Sequence, residues 1–430
     1  GCSVSPLDVI EGRARWCVVE GDSADVLASL PPASVHALVT DPPAGIKFMG
    51  LAFDSDRGGR AQWVAWLAGI LGLARAATVP GGRAIVWALP RTAHWTGCAV
   101  EDAGWAIETK LYHLFGTGWP KGKSQLKPSA EEWLLARTGP STPLNVDGCR
   151  VGTEQTVTVQ TGKGEFFAPG RWVGKRTNPP GRWPPNVLLS HSPDCVREGE
   201  RRVRGSNASF VNTTEGAPLA DGYGLKRQAV GVYGHADPDG TELVEAWRCV
   251  EGCPVAELDA QSGESESSDR PRFNAARPVT ASKGAEAAHV TGGFSDSGTA
   301  SRFFPCFPAD DPGFAYIAKP APAEKRAGLD DAHASHPTVK PVALMRWLVR
   351  LITEPGDIVL DPFGGSGTTG VAALLEGRRV ILVERDPDFA AICRARLEHA
   401  APDARTLSAR VAEPIAAPAA DFGPLFGGAR

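Results

Sequence analysis

Asp357-Ile358-Val359-Leu360-Asp361-Pro362-Phe363-Gly364-Gly365-Ser366-Gly367-Thr368-Thr369 is the stretch that decides the fold. An apolar run ends in an acidic residue, a glycine-rich turn follows, and helical spacing resumes from Val371 to Leu375. Strand, acid, glycine turn and helix in that order make a cofactor-binding loop at the carboxyl end of a strand in an α/β fold. No lysine follows the last glycine, so the loop lacks the charge that a nucleoside triphosphate needs. A second acid, Glu384, closes the next apolar run, Val380-Ile381-Leu382-Val383. Nucleotide-binding α/β folds place a carboxylate there to accept hydrogen bonds from ribose hydroxyls, which points to an adenosine-containing cofactor.

Working outward, Val35 to Val39 reads as a strand that delivers Thr40-Asp41-Pro42-Pro43-Ala44-Gly45, a carboxylate beside two prolines. Trp16 to Val19 reads as a strand ending in Gly21-Asp22, and Ala24 to Leu30 as a short helix. Gln62 to Ala77 has helical apolar spacing and stops at a turn, Pro80-Gly81-Gly82. Arg83 to Ala88 and Leu111 to Phe115 follow as strands, and Val342 to Ile352 as a helix with an apolar face. Between these halves the pattern dissolves into Gly, Ser, Thr and Pro. So long an irregular stretch inside a folded enzyme reads as a substrate-binding insertion, with plain linker as the alternative. The expected division is 1–138, an insertion over 139–315, a cofactor half over 316–400, and a flexible tail over 401–430, with order fading from Ala395.

At 430 residues, 42% hydrophobic and 22% charged, the composition is that of an ordinary soluble protein. A formal net charge of −4 excludes an overall basic footprint, so contact with nucleic acid must be local. The basic stretch from Arg171 to Arg204 is the candidate, led by Arg171, Lys175, Arg176 and Arg182, with a solvated charged face as the alternative. No apolar run reaches the roughly 18 residues of a membrane span, and no signal segment opens the chain, so a cytoplasmic location is expected. Nine cysteines do not form a disulfide framework. Two tight pairs, His191-x3-Cys195 and Cys249-x3-Cys253, suit a structural zinc ion or serve as small buried hydrophobes.

The "DPP" segment ahead of the "DPFGGSGTT" loop resembles the permuted β group of DNA amino-methyltransferases, which methylate N6 of adenine or N4 of cytosine. Asp41 to Gly50 resembles a phage-like "DPPAGI-FMG" subset of it. Ser335-His336-Pro337-Thr338-Val339-Lys340-Pro341 resembles the segment that precedes the glycine loop in that family. The resemblance implies a Rossmann-like fold with a mostly parallel seven-stranded sheet, circularly permuted motif order and an irregular target-recognition insertion. It implies S-adenosylmethionine as cofactor and double-stranded DNA as partner, with a cognate restriction endonuclease and a homodimer left open. Adenine N6 is favoured because Asp leads the catalytic segment, with cytosine N4 or a catalytically weak DNA-binding relative as the alternatives.

By the same resemblance, Asp22, Thr338, Lys340, Asp361, Phe363, Gly365, Ser366, Gly367, Thr368 and Glu384 hold the cofactor, Thr338 and Lys340 at its methionine carboxylate. Asp41, Pro42 and Pro43 form the catalytic segment. An exocyclic amine is a poor nucleophile because its lone pair is delocalised into the base. Acceptors on both of its hydrogens free that lone pair for in-line attack, and Asp41 and the Pro42 carbonyl are placed to be them. A base buried in duplex DNA must also be flipped out and stacked on something. Ala44 stands where the family commonly has an aromatic residue, so Phe48 or Trp119 is expected to take that role, with Phe53 and Trp105 in the core.

Overall fold

The computed structural model describes residues 4–47, 52–115, 126, 129–152, 157–160, 175–178, 181–192, 194–205, 207–211, 230–234, 239–266, 272–275, 288–291, 296–307 and 339–400. Its main strands are β1 (Trp16–Glu20), β2 (Val35–Thr40), β3 (Thr78–Ala88), β4 (Ala106–Leu114), β5 (Ala130–Arg137) and β6 (Val187–Ser190). β7 (Val196–Arg204) and β8 (Thr241–Arg248) form a hairpin, and β9 (Cys306–Phe307), β10 (Ile358–Asp361) and β11 (Arg379–Glu384) complete the set. The helices are α1 (Pro6–Ile10), α2 (Ser23–Ala28), α3 (Arg60–Ala77), α4 (Ala93–Asp102), α5 (Pro254–Ser262), α6 (Val342–Ile352), α7 (Thr368–Leu375) and α8 (Pro387–Ala400).

Among the described residues one nine-stranded sheet runs β1-β11-β10-β2-β3-β5-β4-β6-β9. All its pairs are parallel except those of β5, which runs against both β3 and β4. The last two strands described thus lie between the first and the second. Seven strands were expected and nine are present, because β6 and β9, from the stretch read as an insertion, extend the sheet beyond β4.

Near-continuous apolar sequence marks strands covered on both faces. Alternate residues of β2 and β3 enter different cores: Val39 and Ile85 pack with α6 and α7, whereas Leu38 and Ala84 pack with α3 and α4. α6 presents Leu344, Leu348 and Leu351 to one face, and α3 presents Trp63, Leu67 and Leu71 to the other. Several of the chain's largest fully buried side chains lie on α3 and the neighbouring strands. Each such side chain contributes roughly 1.5–3 kcal/mol by leaving water. No helix among the described residues is long and apolar enough to cross a membrane.

Local departures from the sequence reading have clear causes. Pro80-Gly81-Gly82, expected to be a turn before a separate strand, lies inside β3. The pairing of β2 with β3 slips between Val35 and Ala37, and Gly81 takes φ +79, so the turn is absorbed as an irregularity. Order was expected to fade from Ala395, yet α8 continues to Ala400 because Arg396 and Leu397 are buried against the glycine loop and α7. α4 and β5 carry too short or too mixed a pattern to have been read as elements beforehand.

Candidate active site

Asp41 follows the last residue of β2, and Asp361 ends β10, its hydrogen-bonded neighbour. Parallel strands finish on one edge of a sheet, so motifs from opposite ends of the chain open on one crevice. Thr40 Oγ1 donates to Asp361 Oδ1 at 2.7 Å, and the Phe363 N–H donates to the same oxygen at 3.0 Å. Asp361 is therefore the brace between the two segments. Burial pushes its carboxyl up to about 6, against the opposing pull of hydrogen bonds from Thr40, Thr369 and Phe363.

The crevice holds a cavity of about 750 Å³, in the range of small-molecule sites. Asp22, Asp361, Phe363, Gly365, Ser366, Thr368 and Glu384 line one side, and Asp41, Pro42, Pro43 and Lys340 line the other. The glycine loop is shaped by close approach. Gly367 has φ +75, and a Cβ there would lie 3.1 Å from the Cys393 backbone, so this glycine packs the loop against α8 and does not itself line the cavity. Glu384 Oε2 accepts from the Gly365 N–H at 2.7 Å and Oε1 from the Asp386 N–H at 2.8 Å. Each carboxylate oxygen keeps acceptor capacity for another donor. Ser366 Oγ and Thr368 Oγ1 are 2.9 Å apart, and Arg396 donates to the Ser366 carbonyl at 2.6 Å. Phe363 packs against Trp66, with ring centroids 5.6 Å apart. Asp22 caps α2 by accepting from the Ala24 N–H at 2.9 Å while also facing the cavity.

On the other side the segment after Asp41 is pinned. Asp54 accepts from the Gly45 N–H at 2.7 Å and the Ile46 N–H at 3.3 Å, and Thr92 donates to the Ala44 carbonyl at 3.1 Å. Gly45 takes φ +71 with Trp63 beneath it, where a Cβ would come within 2.6 Å of Trp63 Nε1. Glycine is the residue that fits this turn.

Lys340 is the main surprise of the site. Its ammonium pairs with Asp41 Oδ2 at 2.6 Å and sits 4.1 Å from the centre of the Trp87 ring. Burial pushes the Asp41 carboxyl up, and Lys340 counters it. Burial would lower Lys340, yet Asp41 and Glu131 together raise it, so the ammonium stays charged. Glu131 completes the network: despite its burial, Lys340 and His113 bring it down to about 2. His113 Nδ1 is 3.9 Å from Glu131, and its Nε2 is 2.9 Å from Ser190 Oγ.

Glu131, His113 and Trp87 were missed from the sequence. The signal for His113 and Trp87 was their position near the ends of apolar strands. Glu131 gave none, because it reaches this edge only through β5 running antiparallel. Phe53, expected in the core, lines the cavity and meets Phe389 edge-on at 6.4 Å. Trp105 is core as expected, with Nε1 donating to the Leu71 carbonyl at 3.0 Å.

Thr338, Phe48, Trp119 and Arg171 lie outside the described residues. Lys175 and Arg176 lie on a short strand, Lys175–Asn178, whose side chains are outside them as well. Arg182 is a correction: it was expected on a DNA-facing surface and is buried, pairing with the fully buried Glu242 at 2.6 Å. A guanidinium buried against that carboxylate is not presented to a phosphate. Two of the exposed arginines of β7 also have partners, Arg197 with Glu200 and Glu245, and Arg202 with Asp239. His191, Cys195, Cys249 and Cys253 converge away from the cavity, their ligand atoms all within 4.8 Å of one another.

Residues 35–394 match the N6/N4 methyltransferase family, described as DNA methylase. Over 70 residues the chain is 43% identical to the DNA adenine methyltransferase YhdJ of Escherichia coli K12, covering 16% of this chain and 24% of that protein. Over 63 residues it is 48% identical to the type II methyltransferase M2.DpnII of Streptococcus pneumoniae, covering 15% of this chain and 24% of that one. The chain thus aligns with about a quarter of the length of these curated relatives. Among solved structures it is similar to the cytosine-N4-specific PvuII DNA methyltransferase, with a TM-score of 0.42, 14% identity, and coverage of 89% of this chain and 86% of that chain. A match to the M1.HpyAVI–SAM complex has a TM-score of 0.39 and 14% identity, and covers 89% of this chain and 98% of that chain. With the family matched from β2 into α8, across both signature segments and the sheet between them, the chain belongs to the N6/N4 DNA methylase family.

Proposed function

We propose that the chain transfers a methyl group from S-adenosylmethionine to an exocyclic amino nitrogen of a base in double-stranded DNA, with adenine N6 as the acceptor. The observation that carries this is the meeting of Asp41-Pro42-Pro43 and the Asp361–Thr369 glycine loop at the ends of adjacent parallel strands, on one cavity. The cavity fits the cofactor: a glycine turn open to it at Gly364 and Gly365, an acid beside that turn, and room for a nucleoside-sized molecule. Adenine is favoured by the Asp that leads the catalytic segment and by the similarity to an adenine methyltransferase.

S-adenosylmethionine, when bound, supplies an electrophilic sulfonium methyl. Glu384 would accept hydrogen bonds from its ribose, Phe363 and the Gly365–Thr368 turn would enclose it, and Asp22 would face its adenine. Thr338 and Lys340 serve its carboxylate end. Asp41 accepts a hydrogen bond from the target amine, and the Pro42 carbonyl, fixed by Pro43, accepts the second. Lys340 opposes the burial that raises the Asp41 carboxyl, and so favours the ionised acceptor.

Residues 139–315 supply target recognition beyond the sheet strands they contribute, and the motif order is the permuted one. The type II label of the pneumococcal relative makes a cognate restriction endonuclease the partner to look for. The deciding experiment incubates the protein with duplex DNA and labelled S-adenosylmethionine, digests the DNA to nucleosides and identifies the product. N6-methyladenine is expected. N4-methylcytosine would move the acceptor to cytosine, and label in protein or RNA alone would overturn the assignment.

A further inference from the structure

We propose that His191, Cys195, Cys249 and Cys253 form a closed four-coordinate zinc site that fastens both ends of the β7–β8 hairpin to the edge of the sheet.

The geometry is that of a ligand set. Tetrahedral zinc with sulfur at about 2.3 Å and nitrogen at about 2.0–2.1 Å separates its ligand atoms by roughly 3.5–3.8 Å. His191 Nδ1 lies 3.4 Å from Cys249 Sγ and 3.7 Å from Cys253 Sγ, and all four ligand atoms fall within 4.8 Å of one another. The ring is aimed. It stacks on Trp247 with centroids 4.0 Å apart and planes 21° apart, and among the described residues Nε2 has no hydrogen-bond partner, so the polar contacts described for the ring lie on the thiol side.

The two pairs are built alike. The Cys195 N–H donates to the Ser192 carbonyl at 3.2 Å, and the Cys253 N–H to the Val250 carbonyl at 3.2 Å. The residue before each cysteine is left-handed, Asp194 with φ +70 and Gly252 with φ +76. Each turn folds the chain back so that ligands at i and i+4 converge. A non-glycine residue in that conformation is uncommon, which marks the first turn as held in shape.

The location gives the ion a task. His191 follows β6 in the main sheet, and Cys195 immediately precedes β7. Cys249 immediately follows β8, and Cys253 caps α5. The four residues are thus the points where the chain leaves the sheet for the hairpin and where the hairpin passes into α5. The apolar cluster there has four buried members, Leu189, Cys195, Cys253 and Val255, two of which are thiols of the set. So small a core holds little, and a metal bound only by the folded form adds its binding free energy to folding. Three thiols and an imidazole leave no open position, so the site is structural and takes no part in methyl transfer.

The test measures metal, and so stands apart from the proposed activity. Full-length protein purified without chelators is analysed by plasma mass spectrometry, with zinc release followed by a chromogenic chelator as thiols are modified. About one zinc per chain is expected, lost on modification. Cys195→Ser and Cys249→Ser should each lose most of the zinc. Cys306→Ser, beside the cluster but outside the set, should retain it, and His191→Cys, which keeps four ligands, should retain more than His191→Ala. Should the serine variants fail to fold, wild-type protein from cobalt-supplemented cells must show the intense thiolate-to-cobalt bands of a tetrahedral site. Metal-free protein with freely titrating thiols, a disulfide within the set, or full zinc in the Cys195→Ser/Cys249→Ser double variant would overturn the proposal.

Discussion

The carboxyl edge of β2 and β10 and the outer edge at β6 hold their polar residues by different means. At the central edge two thick apolar cores fix the backbone, so Asp361, Glu384 and Asp54 need only orient a loop already in place. At the outer edge the apolar cluster has four buried members among the described residues, and the chain is held instead by charge and by the His–Cys quartet. Arg182, Glu242, Arg302 and Asp296 form a buried ionic network beneath the hairpin. Where hydrophobic burial suffices, ionisable groups are left for chemistry. Where it does not, the same residue types become the structure.

The sharpest way to break that contrast is Asp41→Ala. At the central edge it removes an acceptor while Glu131 still faces the Lys340 ammonium, so methyl transfer should fall about a thousandfold or more. S-adenosylmethionine binding measured by calorimetry should change only a few-fold. Near-wild-type turnover would show that Asp41 is a brace like its neighbour.

At the outer edge a charge deletion should act on folding. Arg182→Ala leaves Glu242 buried without its closest partner and should cost roughly 3–5 kcal/mol in chemical denaturation, with local exchange protection lost first around β8. Arg197→Ala, an exposed pair on the same hairpin, should cost less than about 0.5 kcal/mol. Equal effects would mean that the network contributes nothing.

Glu131→Gln sharpens the picture of the central edge through pH. The folded protein holds this carboxyl near 2, below its ordinary 4.5. Its contribution is therefore present above about pH 4.5 and is lost as pH falls toward 2, amounting at most to about 3 kcal/mol. The variant should be less stable than wild type at neutral pH, and the two unfolding curves should converge in acid. A constant difference across that window would remove Glu131 from the network around Lys340.

Much of the central edge was legible beforehand, because its signals are local. The α6 boundaries agree with the apolar spacing, α3 differs by two residues at its start, and Asp41, Asp361 and Glu384 sit at strand ends as expected. The Lys340–Asp41 pair was not legible. The lysine was read as a ligand for a cofactor carboxylate, and no spacing rule relates residues 299 positions apart. Arg182 was misread because a basic run in sequence says nothing of which member meets a buried acid.

The sequence by itself determined the order of strand, glycine turn and helix, the acids that end the strands, and the two His–Cys pairs. Periodicity, turn chemistry and short ligand spacings act over a few residues and are written into the chain. Tertiary structure alone decided that β10 lies beside β2, that antiparallel β5 brings Glu131 to Lys340, and that the two ligand pairs converge at the foot of one hairpin. Those depend on which strands pair and in which direction. Pairing is set by the burial of whole faces at once, so no short stretch of sequence contains it.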